Sequence, residues 1–259
     1  MRACVRANRV AFPASFVPLR SSVREKPLSL RLRTIWGQAT TFKDYVDQVV
    51  EHSLAACLES ETPCEKLVLV GASMGGMLVL KAAERIHEAL LAPPQAPAVR
   101  LAAVVLVCSA VPSDCAEGAG APAHEQFPAL VPWSNSSFES TRDSIPDGDE
   151  EIWKYALPRW RDESGAVLNE MLRAPGIALT TAETALLASG PRILSVIPGA
   201  DDTISPCQQA ALSSKLRATQ LEYPGMSHVG PLLSTRAPQV ARMPPPACSL
   251  SPAPYPPVG

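Results

Sequence analysis

No apolar run in this chain reaches the roughly 18 residues that a membrane-spanning helix requires, so the sequence offers no transmembrane segment. Neither sign of charge dominates. The 23 Lys and Arg residues face 25 Asp and Glu, for a formal net charge of -2. That balance speaks against nucleic acid or an anionic membrane surface as a partner. The cysteines (Cys4, Cys57, Cys64, Cys108, Cys115, Cys207 and Cys248) form no C-x-x-C pair, and their number is odd. A disulfide framework and a zinc site are therefore not expected. A reducing, cytoplasmic setting is, with the thiols serving as small apolar residues. There is no G-x-G-x-x-G and no cluster of metal-ligand residue types, so no cofactor is expected. Histidine is scarce. Only His52, His87, His124 and His228 are available as a base.

What is present is an ordinary share of core formers, with apolar residues at 46% of 259. That supports one large domain. The two ends differ from the middle. Residues 1–38 carry eight basic residues (Arg2, Arg6, Arg9, Arg20, Arg24, Lys26, Arg31 and Arg33) and one acid, Glu25. This composition reads as a poorly ordered arm or as an organelle-targeting segment, which would change the location. The C-terminal stretch "MPPPACSLSPAPYPPVG" (243–259) reads as a Pro-rich disordered tail.

Between the ends the pattern alternates. Phe42, Tyr45, Val46, Val49, Val50 and Leu54 make one helical stripe, with Thr41 and Asp44 placed as a capping box. "KLVLVGAS" (66–73) is a short Val- and Leu-rich run, as in a parallel strand buried on both faces. A helix follows, then the strand "RLAAVVLVCSAV" (100–111). After a polar segment come the strand "PRILSVIPGADD" (191–202), a helix near 206–217 and the strand "TQLEYPG" (219–225). Such alternation predicts an α/β fold with a mostly parallel sheet and flanking helices. Residues 124–188 are polar, acidic and aromatic and contain Trp133, Trp153 and Trp160. They read as an inserted helical cap whose tryptophans form its own core, with Asp147, Asp149, Glu150 and Glu151 as a solvated helix start. The α/β core would then occupy 39–123 and 189–242.

The chemistry-bearing motif is "LVGASMGGM". A buried strand ends at Gly71, Ser73 follows, and Gly75 and Gly76 open a helix. This is the G-x-S-x-G arrangement of a nucleophile elbow. A serine on so sharp a turn tolerates only small residues two before and two after it. The helix N-terminus aims free amides at the same spot, and the Met74 N–H is positioned to donate to a developing oxyanion. A serine hydroxyl needs a base, and the base needs an acid. His52 and His87 fall within helices, and His124 starts the insert. His228 follows the last strand and can reach the strand tips, so it is the candidate base. Asp201 and Asp202, at the end of another strand, are both candidates for the acid. Cys108 and Ser109 end a strand and border this edge, but they lack the elbow.

With these residues in view, the chain resembles the α/β-hydrolases of serine esterase and lipase type over roughly residues 39–242. The resemblance implies the pattern G-x-x-D-x-x-x-P after the penultimate strand. Gly199, Asp202 and Pro206 match it, so the resemblance favours Asp202. It also implies a cap over the site and a small-molecule ester or acyl substrate. A dehalogenase or epoxide hydrolase would carry Asp at the elbow. Two departures stand out. No histidine precedes His52 and no glycine precedes Gly37, so the family's His-Gly oxyanion loop is not found. The strands that the family places before that loop are expected to be missing, leaving an incomplete core. The final helix, starting at "RAPQVAR", is expected to be cut at about Met243. The leading expectation is a serine hydrolase using Ser73, Asp202 and His228, with Met74 in the oxyanion hole and Gly71 and Gly75 shaping the elbow. An acyltransferase using the same triad and a catalytically impaired binding protein are the alternatives. Oligomeric state is not legible.

Overall fold

Six parallel strands in the order β2-β1-β3-β4-β7-β8 form the sheet on which everything else is arranged. The computed structural model describes residues 7–10, 29–30, 40–58, 65–91, 99–115, 126–172 and 176–233. The central strands are β3 (Lys66–Ala72) and β4 (Arg100–Val107), paired in parallel from Lys66↔Arg100 to Ala72↔Val107. On one side follow β7 (Arg192–Pro198) and β8 (Thr219–Tyr223). On the other side lie β1 (Ala7–Val10), against β3, and β2 (Ser29–Leu30), against β1.

These last two strands correct one expectation. The N-terminal segment, read as an arm outside the fold, contributes two strands to the sheet. The sequence gives little sign of them. "ANRV" and "SL" are too short and too polar to show a period. The rest of the segment, with its basic residues other than Arg9, lies outside the described residues. So do His124, the "RAPQVAR" helix and the Pro-rich tail.

The helices form where the apolar stripe predicts them. In α1 (Phe42–Leu58), Phe42, Tyr45, Val46, Val49 and Val50 are all buried. The Thr41–Asp44 capping box is present. The Asp44 carboxylate accepts from Thr41 N and Thr41 Oγ1 at 2.8 Å, and Thr41 Oγ1 accepts from Asp44 N at 3.2 Å. These bonds hold the exposed Asp44 carboxyl below its ordinary range. Next, α2 (Met74–Leu91) crosses the same sheet face. Its Met77, Leu78, Leu80 and Ile86 join Leu67, Leu69 and Val104 in one continuous core. The strand β3 is buried on alternate residues only, not on both faces. Leu67 and Leu69 lie under the helices, while Val68, Val70 and Ala72 are half-buried. At the far end, α7 (Pro206–Lys215) seats Leu212 in the same core.

Residues 126–189 hold a two-residue antiparallel pair, β5 (Leu130–Val131) with β6 (Glu163–Ser164). They also hold α3 (Phe138–Ser144), α4 (Glu150–Ala156), α5 (Gly165–Leu172) and α6 (Thr181–Ser189). Two different packings occur here. Val167 and Leu168 of α5, Leu187 of α6 and Leu179 just before it belong to the main core. Lys81 of α2 donates to the Glu183 carboxylate at 2.6 Å and to the Ala178 carbonyl at 3.1 Å, tying α6 down. Tyr45 Oη of α1 donates to the buried Glu163 at 2.7 Å. By contrast, Ile145, Ala156, Trp153 and Trp160 pack with Val229, Leu232 and Leu233, the residues just beyond His228. These two tryptophans therefore do not form a core private to the insert. Their ring N–H groups are satisfied locally. Trp153 Nε1 donates to the Ile145 carbonyl (2.9 Å) and Trp160 Nε1 to Thr141 Oγ1 (2.8 Å). Trp133 packs against the main core.

Candidate active site

Parallel strands bring their carboxyl ends to one edge, so the loops after β3, β4, β7 and β8 all meet there. Ser73 follows β3 directly and has φ 53°, in the left-handed region that a non-Gly residue adopts only under strain. The strain is held by the backbone. Ser73 N–H donates to Val107 O of β4 (2.9 Å), and the Ser73 carbonyl accepts from Gly76 N and Ala110 N (both 2.9 Å). The elbow glycines have steric causes. A methyl on Gly71 would overlap the Gly75 carbonyl and stand 2.7 Å from Gly76 N. A methyl on Gly76 would overlap the Ser109 hydroxyl. Ser109 Oγ instead donates to the Ala110 carbonyl at 2.8 Å.

His228 lies in the loop after β8. Its Nε2 is 2.9 Å from Ser73 Oγ. Its Nδ1 is 3.0 and 2.9 Å from the two carboxylate oxygens of Asp201. A carboxylate only accepts, so Nδ1 carries the proton and Nε2 is left to accept from the serine hydroxyl. The Asp201 side chain is fully buried, and donors converge on it. Besides the imidazole, it accepts from Thr203 N (2.9 Å), Ile204 N (2.8 Å) and Gln209 Nε2 (2.8 Å).

The acid favoured by the resemblance, Asp202, is not the residue the structure sets behind the imidazole. Asp202 is exposed and accepts only a 3.3 Å bond from Thr203 Oγ1. The physical reason is the turn. Asp201 N–H bonds back to Pro198 O, and the amides of Thr203 and Ile204 wrap round the Asp201 carboxylate. The next residue is thereby turned to solvent. Of two adjacent carboxylates, the turn admits one.

The remaining candidates also have places. Met74 is the first residue of α2, so its N–H has no helical acceptor four residues back. Its side chain is buried in the core. Cys108, at the tip of β4 with φ 43°, is wholly buried. Burial first, and the nearby Asp201 charge second, push its thiol far up, which keeps it protonated and unreactive. His52 and His87 lie in α1 and α2. Among the described residues no group of three or more His, Cys, Asp or Glu could hold a metal ion, and no helix is long and apolar enough to cross a membrane.

Two residues of this region escape sequence reasoning. Gln209 of α7 steadies Asp201, eight positions away, and also bonds Ile204 O (2.9 Å), while its Oε1 is buried without a partner among the described residues. Asp147 departs from the solvated helix start expected of its acidic run. Asp149 does that work, capping α4 by accepting from Ile152 N, with Glu150 and Glu151 exposed in the first turn. Asp147 instead accepts from Ser227 N (3.1 Å) and from the Ser227 hydroxyl. Only the i, i+3 spacing of an N-cap is visible along the chain. A partner 80 residues away is not.

A parallel sheet with a strained serine elbow at its carboxyl edge, faced by histidine and aspartate from later loops, defines an α/β enzyme class. The chain belongs to the alpha/beta hydrolase family, whose model matches residues 11–243, and it is a hydrolase of that family. Among solved structures it is similar to polyneuridine aldehyde esterase (17% identity, TM-score 0.48, covering 76% of each chain). It is also similar to a lipase-esterase related protein from Clostridium acetobutylicum (13%, TM-score 0.48, 79% of this chain and 74% of that one). A thioesterase domain from the curacin biosynthetic pathway is a third (17%, TM-score 0.45, 77% and 71%). No curated protein matches the chain by sequence.

Proposed function

We propose that this protein is a serine hydrolase of carboxylic esters or related acyl compounds, acting through Ser73, His228 and Asp201. The observation that carries the reading is the continuous chain Ser73 Oγ, His228 Nε2, His228 Nδ1, Asp201, with contacts of 2.9 Å at both ends of the imidazole. Ser73 Oγ attacks the substrate carbonyl while His228 Nε2 takes its proton. The imidazolium is stabilised by Asp201, and the tetrahedral oxyanion accepts from the Met74 N–H. His228 returns the proton to the leaving alcohol. Water, activated by the same imidazole, then releases the acid. Segment 126–164 stands as the cap over this edge and would shape the acyl or alcohol pocket.

The test is labelling with a fluorophosphonate, which reacts with an activated serine whatever the substrate. Wild type is expected to be labelled and Ser73→Ala not. A folded wild type that stays unlabelled overturns the reading. Labelling that survives Ser73→Ala overturns the residue assignment.

A further inference from the structure

The catalytic reading uses Asp201 and His228 but leaves one carboxylate of the same region unexplained. Asp147 lies in the turn between α3 and α4, far from β8 in sequence. Yet both of its oxygens are spent on one residue, Ser227, the immediate neighbour of His228. Oδ2 accepts the Ser227 N–H at 3.1 Å and Oδ1 accepts the Ser227 hydroxyl. We infer that Asp147 is a positioning residue that holds the loop carrying His228 in register with Ser73, and that the insert thereby sets the base. This rests on the triad reading above.

Four observations converge. First, Ser227 is almost wholly buried, at 5% exposure, so its backbone N–H has no recourse to water once Asp147 is removed. Second, the loop's other backbone bonds are local or come from the sheet side: Met226 N–H donates to Tyr223 O (3.2 Å), Met226 O accepts from Ala200 N (2.9 Å), and Gly230 N–H closes a turn on Ser227 O (3.0 Å). Among the described residues, the hydrogen bonds that reach it from the insert are those of Asp147, beside the apolar packing on Val229 and Leu233. Third, space is reserved for the carboxylate. A methyl on Gly230 would overlap Asp147 Oδ2. Fourth, Asp147 is itself held. Ile145, two residues before it, is buried against Val229 and Leu233, and Gly148 N–H returns to Ile145 O at 3.0 Å. The carboxylate is therefore presented from a fixed turn rather than from a free side chain. A base must lie within hydrogen-bond reach of the hydroxyl it deprotonates. A displacement of about 1 Å at such a site costs about 100-fold in rate.

The roles are separable by chemistry. An amide at this position keeps the two contacts in altered form, since Oδ1 accepts the Ser227 N–H and Nδ2 donates to the Ser227 hydroxyl. Asp147→Asn should therefore retain most function, and Asp147→Ala should not.

The experiment measures the rate of fluorophosphonate labelling, thermal melting, and the proton NMR signal of the His228 Nδ1–H. Wild type, Asp147→Ala, Asp147→Asn and Ser227→Ala are compared, with Ser73→Ala as the control for labelling. The spectrum is tractable because the chain has four histidines, and His228→Gln assigns the signal. The expected result is a 10- to 100-fold slower labelling of Asp147→Ala, a shifted or broadened His228 signal, and near wild-type behaviour of Asp147→Asn. Labelling of Asp147→Ala within twofold of wild type, with the His228 signal unmoved, overturns the inference. So does an equal loss in Asp147→Asn and Asp147→Ala. If Asp147→Ala does not fold, Ser227→Ala decides. Slower labelling at an unchanged melting temperature supports the inference, and an unchanged rate overturns it. A wild type that is not labelled at all sinks the triad reading instead, and the NMR comparison then judges the positioning of His228 by itself.

Discussion

The elbow offers a perturbation whose size follows from the coordinates. In Gly71→Ala, the new methyl carbon would overlap the Gly75 carbonyl oxygen, with 2.5 Å to the carbonyl carbon and 2.7 Å to Gly76 N. Ordinary contact between carbons needs about 3.5 Å, so the first turn of α2 must move off the end of β3 by about 1 Å. Every atom in the way is backbone, so no rotamer change relieves it. Overpacking of this kind costs about 1–3 kcal/mol, or a fall of roughly 2–12 °C in melting temperature for a chain of this size. The same movement carries Ser73 Oγ away from His228 Nε2, now at 2.9 Å. A loss of about 100-fold in labelling rate is expected. Gly76→Ala makes the informative contrast, because its methyl meets a side chain, Ser109, rather than backbone. The double variant Gly76→Ala with Ser109→Gly removes the obstructing hydroxyl and its Cβ, leaving the Ser109 Cα at 3.2 Å. It should recover much of what Gly76→Ala alone loses. The assay is a thermal melt and a labelling time course on each variant. A Gly71→Ala protein that melts and labels like wild type would refute the reasoning, as would a double variant no better than Gly76→Ala.

Other outcomes follow from the same coordinates. Asp201→Asn should cut turnover by about 10⁴, the scale for a triad that loses its carboxylate, while Asp202→Asn should leave the rate nearly unchanged; the reverse order would restore Asp202 as the acid. Lys81→Met strands the buried Glu183 carboxylate and should cost about 3 kcal/mol, read by denaturant unfolding. Burial holds the Glu163 carboxyl above its ordinary value of 4.5, although Tyr45 and the Ser164 amide partly offset it. The native state therefore binds more protons than the unfolded one from about that pH upward. Stability contributed there falls as pH rises through this window. Glu163→Gln, which keeps an acceptor for Tyr45, should gain on wild type as pH rises from the ordinary carboxylate range, in melts taken across that range.

What the sequence made legible was local. The turn at Ser73 leaves a local signature, because a side chain on Gly71 would meet the backbone of Gly75 and Gly76, and so it can be read directly. The strands β3, β4 and β7 are long enough to show as apolar runs. By contrast β1 and β2 have four and two residues, and only their pairing partners make them strands. Asp201 and Asp202 are adjacent and chemically alike. The choice between them is made by two backbone amides that wrap one carboxylate, which no spacing rule reports. Asp147 looked like part of an acidic helix start because its neighbours are one. Its own partner is supplied by tertiary packing.

The hydrogen bond between Ser73 and His228 joins residues 155 positions apart, and the one between His228 and Asp201 spans 27. Contacts of such range form late, because chain closure must precede them. During synthesis the elbow emerges long before the imidazole that would make it reactive. A nascent or prematurely ended chain that stops short of β8 carries the serine without His228, so under the proposed triad its reactivity would be switched on only once β8 and the loop after it are made. For the same reason, labelling of Ser73 would report that the loops after the central strand β3 and the edge strand β8 have come together, and could serve as a single-residue gauge of whether that half of the sheet is assembled in a given preparation.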